Sequence, residues 1–335
     1  MSSELTVQQW VLIGLGSVVV LKAVLAIAKT VNKFVFRSER NLRRLGEWAV
    51  VTGSTDGIGK AYAFELAARG INLVLVSRSA DKLATVASEL ASLSRPVEVR
   101  TVAIDLSRPV PGYLDPLTSA IEGLEVGILI NNAGVSHDHP DYLESYSEES
   151  LIRLVDLNAA SVALVTRAVV PGMKARRRGL VLSLSSGAAE VPSCPLLSTY
   201  AASKAFVDAF TASMRKELAA FGISVEAPCA LFVSTNMTKN RRPRRDIPSA
   251  ITWARASLRQ AGHGDAGGFP YYYHAWLGFL LKSLPRTVAE NTVLKTNLAT
   301  RAAYYRKEAR KAAEAQAKAK ASEEQELPEE PKKDL

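Results

Sequence analysis

The sequence predicts an α/β protein: a doubly wound parallel sheet preceded by one transmembrane helix. Three observations predict it. From about residue 46, short apolar runs alternate with helix-period stretches, the pattern of strands joined by crossover helices. A glycine-rich turn, Gly53-Ser54-Thr55-Asp56-Gly57-Ile58-Gly59, falls between the first strand and the first helix. Near the start, the 19 residues from Trp10 to Ala28, "WVLIGLGSVVVLKAVLAIA", carry a single charge, Lys22.

The N-terminal segment comes first. As a helix, 19 residues span about 28 Å, close to the thickness of a hydrocarbon core. Glu4 is the only charge before it, whereas Lys29, Lys33, Arg37, Arg40, Arg43 and Arg44 follow. The positive-inside tendency then puts everything after residue 30 on the cytosolic side. A cleaved signal peptide would carry a basic leader, and "MSSELTVQQ" has none. Residues 1–45 are therefore expected to be a membrane anchor with a basic juxtamembrane segment.

Residues 46–300 are expected to form the catalytic domain. "WAVVTG" (48–53), "INLVLVSR" (71–78), "VEVRTVAIDL" (97–106), "VGILINNAG" (126–134), "GLVLSLSS" (179–186) and "GISVEAP" (222–228) read as strands. Their near-continuous apolar character suits strands buried on both faces. Helices are expected at 59–70, 79–93, 147–175 and 199–219, and residues 231–300 as the substrate region. The Ala-, Lys- and Glu-rich end, 301–335, reads as a solvated charged helix fraying into a disordered tail.

Charge and cysteine narrow the partners. Lys and Arg number 42 against 33 Asp and Glu, a net charge of +9, concentrated in "KARRRG" (174–179) and "TKNRRPRRD" (238–246) as well as after the anchor. Nucleic acid binding would need aromatic residues interleaved with these charges, so no nucleic acid partner is expected. Anionic lipid headgroups or a phosphorylated substrate fit better. The two cysteines, Cys194 and Cys229, suit a reducing compartment. His137 and His139 have no cysteine or third histidine nearby, so no metal site is expected.

The glycine turn points to a dinucleotide. Glycines let the backbone tighten and approach a pyrophosphate, which rests on the following helix N-terminus. Gly53, Ser54, Asp56, Gly57, Ile58 and Gly59 are the candidate contacts. An NAD site wants a carboxylate at the end of the second strand, but that strand ends in Ser77-Arg78. A guanidinium there suits the 2′-phosphate of NADPH. Further on, Tyr200 and Lys204 in "YAASK" lie one helical turn apart and share a face.

With "TGSTDGIG", "NNAG" (131–134) and "YAASK" (200–204) in order, residues 46–235 resemble the short-chain dehydrogenase/reductase family. The resemblance implies a Rossmann-type fold, NADPH-dependent carbonyl reduction, and Tyr200 with Lys204 as the catalytic pair. Hydride transfer leaves charge on the carbonyl oxygen, so a positioned acid must supply a proton. A tyrosine titrating near 10 gains from a neighbouring ammonium, which is expected to lower its pKa. By the same resemblance, Ser186 polarises the carbonyl, although Ser185 is adjacent and Ser186 lies one position further from Tyr200 than the pattern expects. Asn158 in "VDLNAAS" matches a proton-relay asparagine, and Lys204 also holds the nicotinamide ribose. Asp105 matches an adenine contact, Asn132 a residue lining the cofactor cleft, and Val233 and Thr235 contacts of the nicotinamide amide.

"PCALFVST" departs from the family's usual Pro-Gly after the sixth strand. With the anchor, "SRSADKL", "PLLSTYAASKAFVDAF" and "TNLATRAAYYRK" (296–307), this resembles the subgroup of microsomal very-long-chain 3-oxoacyl-CoA reductases and related 17β-hydroxysteroid dehydrogenases. It implies reduction of a long-chain 3-oxoacyl-CoA in fatty-acid elongation at the endoplasmic reticulum membrane, the domain facing the cytosol. Lys332 and Lys333, fourth and third from the end, fit a dilysine retrieval signal. Expected partners are the acyl-CoA, the membrane and other elongation-cycle enzymes, with an oligomer compatible. An apolar-ketone oxidoreductase acting on steroids or retinoids is the competing enzyme reading, and a catalytically silent scaffold the non-enzyme one. "SHDHPDY" (136–142) is expected to be a loop beside the substrate cleft, and the apolar 274–284 to lie against lipid.

Overall fold

The computed structural model describes residues 6–239, 242–264 and 267–326. Eight parallel strands form the sheet: β1 (Trp48–Thr52), β2 (Asn72–Ser77), β3 (Val99–Ala103), β4 (Val126–Asn131), β5 (Gly179–Ser183), β6 (Ser185–Ser186), β7 (Ile223–Ala230) and β8 (Gly267–Gly268). The helices are α1 (Val7–Val31), α2 (Gly57–Ala67), α3 (Ala80–Ala91), α4 (Asp115–Ile121), α5 (Glu148–Val155), α6 (Ser161–Arg176), α7 (Gly187–Glu190), α8 (Ser198–Ala219), α9 (Ala250–Gln260), α10 (Tyr272–Ser283) and α11 (Arg286–Glu326).

Strand order runs β3-β2-β1-β4-β5-β7. It reverses between β1 and β4, which opens a crevice at the carboxyl ends of those two strands. The expected fifth strand, 179–186, is broken at Leu184. β5 pairs with β7 over Gly179–Leu182 and β6 resumes the pairing at Ser185 and Ser186. Leu184 instead turns its N–H to Asn131 O at 2.9 Å, which frees its carbonyl for the site below.

Alternate residues of each strand face opposite layers, as the pleat requires. Ala49, Val51, Ile128, Ile130, Leu180 and Leu182 pack with Tyr62, Leu66, Leu83 and Trp253 on one side. Val50, Val74, Leu129 and Val181 pack with Leu117, Val165, Val169, Met173 and Leu218 on the other. Each fully buried Leu or Ile contributes about 2 kcal/mol, so the two apolar layers are the main source of stability.

Two elements differ from expectation. The single helix expected over 147–175 is divided by a π turn, Asp156–Ala160, an insertion that helices often carry at functional positions. The expected tail is the end of a helix of 41 residues that starts at Arg286 and crosses residue 300 unbroken. The dilysine motif lies outside the described residues.

Helix α1 has 25 residues, begins on a capping box between Thr6 and Gln9, and extends about 38 Å. It is long and apolar enough to cross a membrane and buries nothing against the domain. Its foot is tied to the end of α9: Gln260 Nε2 donates to Lys33 O at 2.8 Å, and Arg37 Nη1 donates to Gln260 Oε1 at 3.3 Å.

Candidate active site

The cofactor end is built where β1 meets α2. A Cβ on Gly59 would stand 2.2 Å from Gly53 O and 2.3 Å from Asn132 Nδ2, and Gly53 adopts φ +62°. Both positions therefore require glycine. The close approach exists because Asn132 Nδ2 donates to Thr52 O at 2.9 Å and Gly53 O at 3.1 Å. Asn132, expected to line the cleft, spends its amide latching the turn onto β4. Ser54 is buried on Val76 O, and Ile58 packs into the core, so both shape the turn through their backbones.

Asp56 caps α2, accepting from Gly57 N at 2.7 Å, and its second oxygen accepts from Asn236 Nδ2 at 2.7 Å. The segment after β7 thus closes over the glycine turn. Thr235 lies there, its methyl 3.2 Å from where a Gly57 Cβ would be. Val233 is buried in the core, and its carbonyl accepts from the Thr238 hydroxyl at 2.5 Å. Asp105 lies two residues past β3 and accepts from Ser107 N and Oγ at 3.0 and 2.6 Å. Burial alone would raise its pKa. The Ser107 bonds and the nearby Arg153 and Arg78 outweigh that and lower it. Arg78 is exposed at the end of β2 and makes no hydrogen bond or ion pair among the described residues.

Tyr200 occupies the first turn of α8, and Ser186 is near enough to its hydroxyl to oppose the rise that burial gives its pKa. Ser186 lies past the break at Leu184 and caps α7, its Oγ accepting from Ala188 N at 3.3 Å. Lys204 is buried and its Nζ donates to Leu184 O at 2.9 Å. Asn158, on the π turn, is fully buried. Its amide donates to Val135 O at 2.9 Å and Ser203 Oγ at 3.0 Å, and its Oδ1 accepts from Val135 N at 2.8 Å. A Cβ on Gly134 would lie 3.0 Å from Asn158 Oδ1 and 3.5 Å from Lys204 Nζ, so that glycine keeps a space between the amide and the ammonium.

Burial raises the Tyr200 pKa, with Ser186 opposing it. The ammonium is committed to the Leu184 carbonyl, and its own desolvation pushes its pKa down to about 8 despite the field of Asp208. Both groups are thus held toward their neutral forms. Tyr200 is kept as a donor, which is the state a proton-giving acid needs.

Sequence reasoning missed Thr52, whose Oγ1 accepts from Asn132 N and Ala133 N at 3.0 Å each. It missed Ser203, which ties Asn158 to the Tyr200 carbonyl with a 2.7 Å bond to the latter. It also missed a buried cluster around Asp141, to which Arg301 Nε and the Tyr305 hydroxyl donate at 2.6 and 2.5 Å. Ser203 was within reach, inside the "YAASK" motif itself. The Asp141 partners lie 160 and 164 residues away and carry no spacing signal. His137 and His139, from the same loop, stack on Tyr146 and Tyr304 with ring centroids 3.7 and 3.6 Å apart.

A glycine turn at the switch point, an exposed arginine after β2 and the cradle at Gly134 fit a nicotinamide dinucleotide. The fold and this crevice define a nicotinamide-dependent oxidoreductase. The short chain dehydrogenase profile matches residues 47–246, and the chain belongs to that family. A Rattus norvegicus protein named very-long-chain 3-oxoacyl-CoA reductase is 40% identical over 266 residues, covering 79% of this chain and 84% of its own. One of the same name from Aspergillus terreus is 36% identical over 293 residues, covering 85% and 83%. A solved short-chain dehydrogenase from Sphingobium yanoikuyae, in complex with NADPH, is 28% identical with a TM-score of 0.57, covering 63% of this chain and 82% of its own.

Proposed function

We propose that the protein reduces long-chain 3-oxoacyl-CoA to 3-hydroxyacyl-CoA with NADPH, at the cytosolic face of the endoplasmic reticulum membrane, within fatty-acid elongation. The observation that carries it is Tyr200 one helical turn before buried Lys204 on α8, in a chain whose relatives at 36–40% identity bear that activity in their names.

The bound nicotinamide supplies the hydride for the carbonyl carbon. Tyr200 gives its phenolic proton to the carbonyl oxygen as charge develops there, and Ser186 donates a hydrogen bond to the same oxygen. Lys204, one turn on, stabilises the phenolate and reaches the ribose. Water in the space at Gly134 connects the ammonium to the Asn158 end and returns the proton. Arg78 faces the 2′-phosphate, which supports NADPH over NADH.

The membrane reading is supported by α1 and by α10. Tyr272, Trp276, Phe279 and Leu280 on α10 are all exposed at steps of one helical turn, an apolar aromatic face suited to a lipid interface. Lys33 at the anchor's foot and Pro270, just before α10, line one small cavity, so the start of α10 lies near the foot of the anchor. A long acyl chain entering from the bilayer would meet the crevice beside it.

The test is NADPH oxidation by membranes holding the full chain, with a long-chain 3-oxoacyl-CoA, a 17-ketosteroid and retinal in parallel. The acyl-CoA should be reduced at least about tenfold faster than either ketone, the discrimination a site built for phosphates and acyl chain supplies. Faster reduction of the steroid would replace this reading.

A further inference from the structure

We propose that Asp141 is a positioning residue for Tyr200: helix α11, docked on Asp141 through Arg301 and Tyr305, holds the bend that feeds the first turn of α8. The proposal rests on Tyr200 as the proton donor.

Helix α8 starts without a side-chain cap, since Leu197 at its N-terminal boundary makes none. Tyr200 sits in that first turn, so its hydroxyl is only as well placed as the segment 194–197 before it. Leu196 holds a left-handed backbone, φ +67°, a conformation a leucine keeps only when its surroundings impose it. Its carbonyl accepts from Asp141 N at 3.0 Å, and the Tyr146 hydroxyl, which itself accepts from Asp141 N at 2.7 Å, lies 3.0 Å from both Leu196 O and His139 O and shares its proton between them.

Asp141 is in turn held from α11. Its Oδ1 accepts from Arg301 Nε at 2.6 Å and from Tyr142 N at 2.8 Å. Its Oδ2 accepts from the Tyr305 hydroxyl at 2.5 Å and lies 3.2 Å from His139 Nε2. One turn earlier on α11, Asn297 Nδ2 donates to Pro195 O at 2.8 Å and approaches Cys194 Sγ at 3.8 Å. One turn on, Lys239 from the segment after β7 lies over the Tyr304 ring, 5.3 Å from its centroid. Asn297, Arg301 and Tyr304/Tyr305 fall at steps of one helical turn and so present one face. That face joins three segments, after β4, before α8 and after β7, the second of which leads directly into the turn that carries Tyr200. Burying a carboxylate in this way is tolerable only because every oxygen is paired.

The test uses full-chain protein in membranes, with rates expressed per NADPH-binding site so that misfolded chains do not count. Asp141→Asn and Arg301→Leu should each lower kcat about tenfold, the cost of misplacing an acid by a fraction of an ångström. The KM for NADPH should stay within about twofold, because the cofactor turn lies on other elements. Arg301→Lys should restore most of the loss, and Arg306→Ala, exposed on the solvent side of α11, should change nothing. Asp141→Asn added to Tyr200→Phe should cost nothing further. A second readout is independent of substrate: Cys194 should react with a maleimide about tenfold faster in Asp141→Asn and Arg301→Leu, as its local opening becomes cheaper. An unchanged kcat, or unchanged Cys194 labelling, in both variants overturns the proposal. A Tyr200→Phe enzyme that still turns over instead overturns the donor role on which it rests.

Discussion

Lys204 and Asp141 are both buried charges near one crevice, and they are treated in opposite ways. Lys204 has one hydrogen bond, to a backbone carbonyl, and burial pushes its pKa down to about 8. Asp141 has four partners on its two oxygens; burial would raise its pKa, but Tyr305, Arg301, Tyr142 N and His139 together hold it well below the ordinary carboxylate range. A charge left short of partners is held for a ligand, and a charge fully satisfied holds the structure. The same contrast separates Arg78, which makes no hydrogen bond or ion pair among the described residues and acts on Asp105 only at a distance, from Arg301, committed to Asp141.

The largest effect tests Tyr200, one helical turn before Lys204. Tyr200→Phe should cut turnover by about 10³-fold, within the range for losing a general acid. NADPH affinity, measured by protein fluorescence, should be nearly unchanged. Equal loss of both would mean that the tyrosine anchors the cofactor instead of giving a proton.

Next comes Lys204 itself. Lys204→Met should lower turnover about 10²-fold yet leave the thermal midpoint unchanged or raised, since it removes an ammonium buried on one partner. The sign is set by a folded pKa of about 8 against the ordinary 10.5. Below about 8 both folded and unfolded chains carry the proton and the burial penalty is complete; between the two values the unfolded chain binds more protons, so stability rises with pH. The advantage of the methionine variant should therefore shrink as pH rises from 8 toward 10, and wild-type turnover should fall as pH passes about 8. A lower midpoint for the variant at pH 7 breaks the comparison.

Arg78→Glu should shift the NADPH-to-NADH preference about tenfold or more toward NADH, by replacing an attraction for the 2′-phosphate with a repulsion. Unchanged cofactor constants would place Arg78 outside the site.

On the other side of the comparison, Asp141 should report itself in acid. Its folded pKa is depressed, so its contribution is complete above the ordinary carboxylate value of about 4 and is lost as pH falls below it. In urea titrations, wild type should lose part of its stability below pH 4 that Asp141→Asn, already less stable at pH 7, does not lose. Parallel curves would mean that Asp141 is not an ionised anchor.

The smallest effect concerns the basic run after β7. Arg244 is paired with Asp246 at 2.8 Å and Lys239 sits on Tyr304, whereas Arg242 is exposed; Arg241 lies outside the described residues. Replacing Arg242 and Arg245 should raise KM for acyl-CoA about threefold at low salt and little at high salt, where screening has removed the attraction. Replacing Arg244 alone should do less.

The sequence determined whatever a short window encodes. The glycine turn, the buried strands and the Tyr200–Lys204 face follow from spacing of one turn or one pleat, and the apolar anchor follows from length and composition. Its reading of α8 was right to a residue because both partners share one helix. The preference for Ser186 over Ser185 was legible in the motif, but the break at Leu184 that separates both from β5 depends on a hydrogen bond to Asn131 from another strand. The direction of the Tyr200 pKa needed the depth of burial, which no local pattern carries. The charged run beyond residue 300 read as solvent-facing, because Arg301 and Tyr305 find Asp141 only after the chain has folded back across 160 residues. Local chemistry placed the reactive groups; only tertiary structure decided which charges were satisfied, because desolvation and pairing depend on neighbours that are distant in the chain.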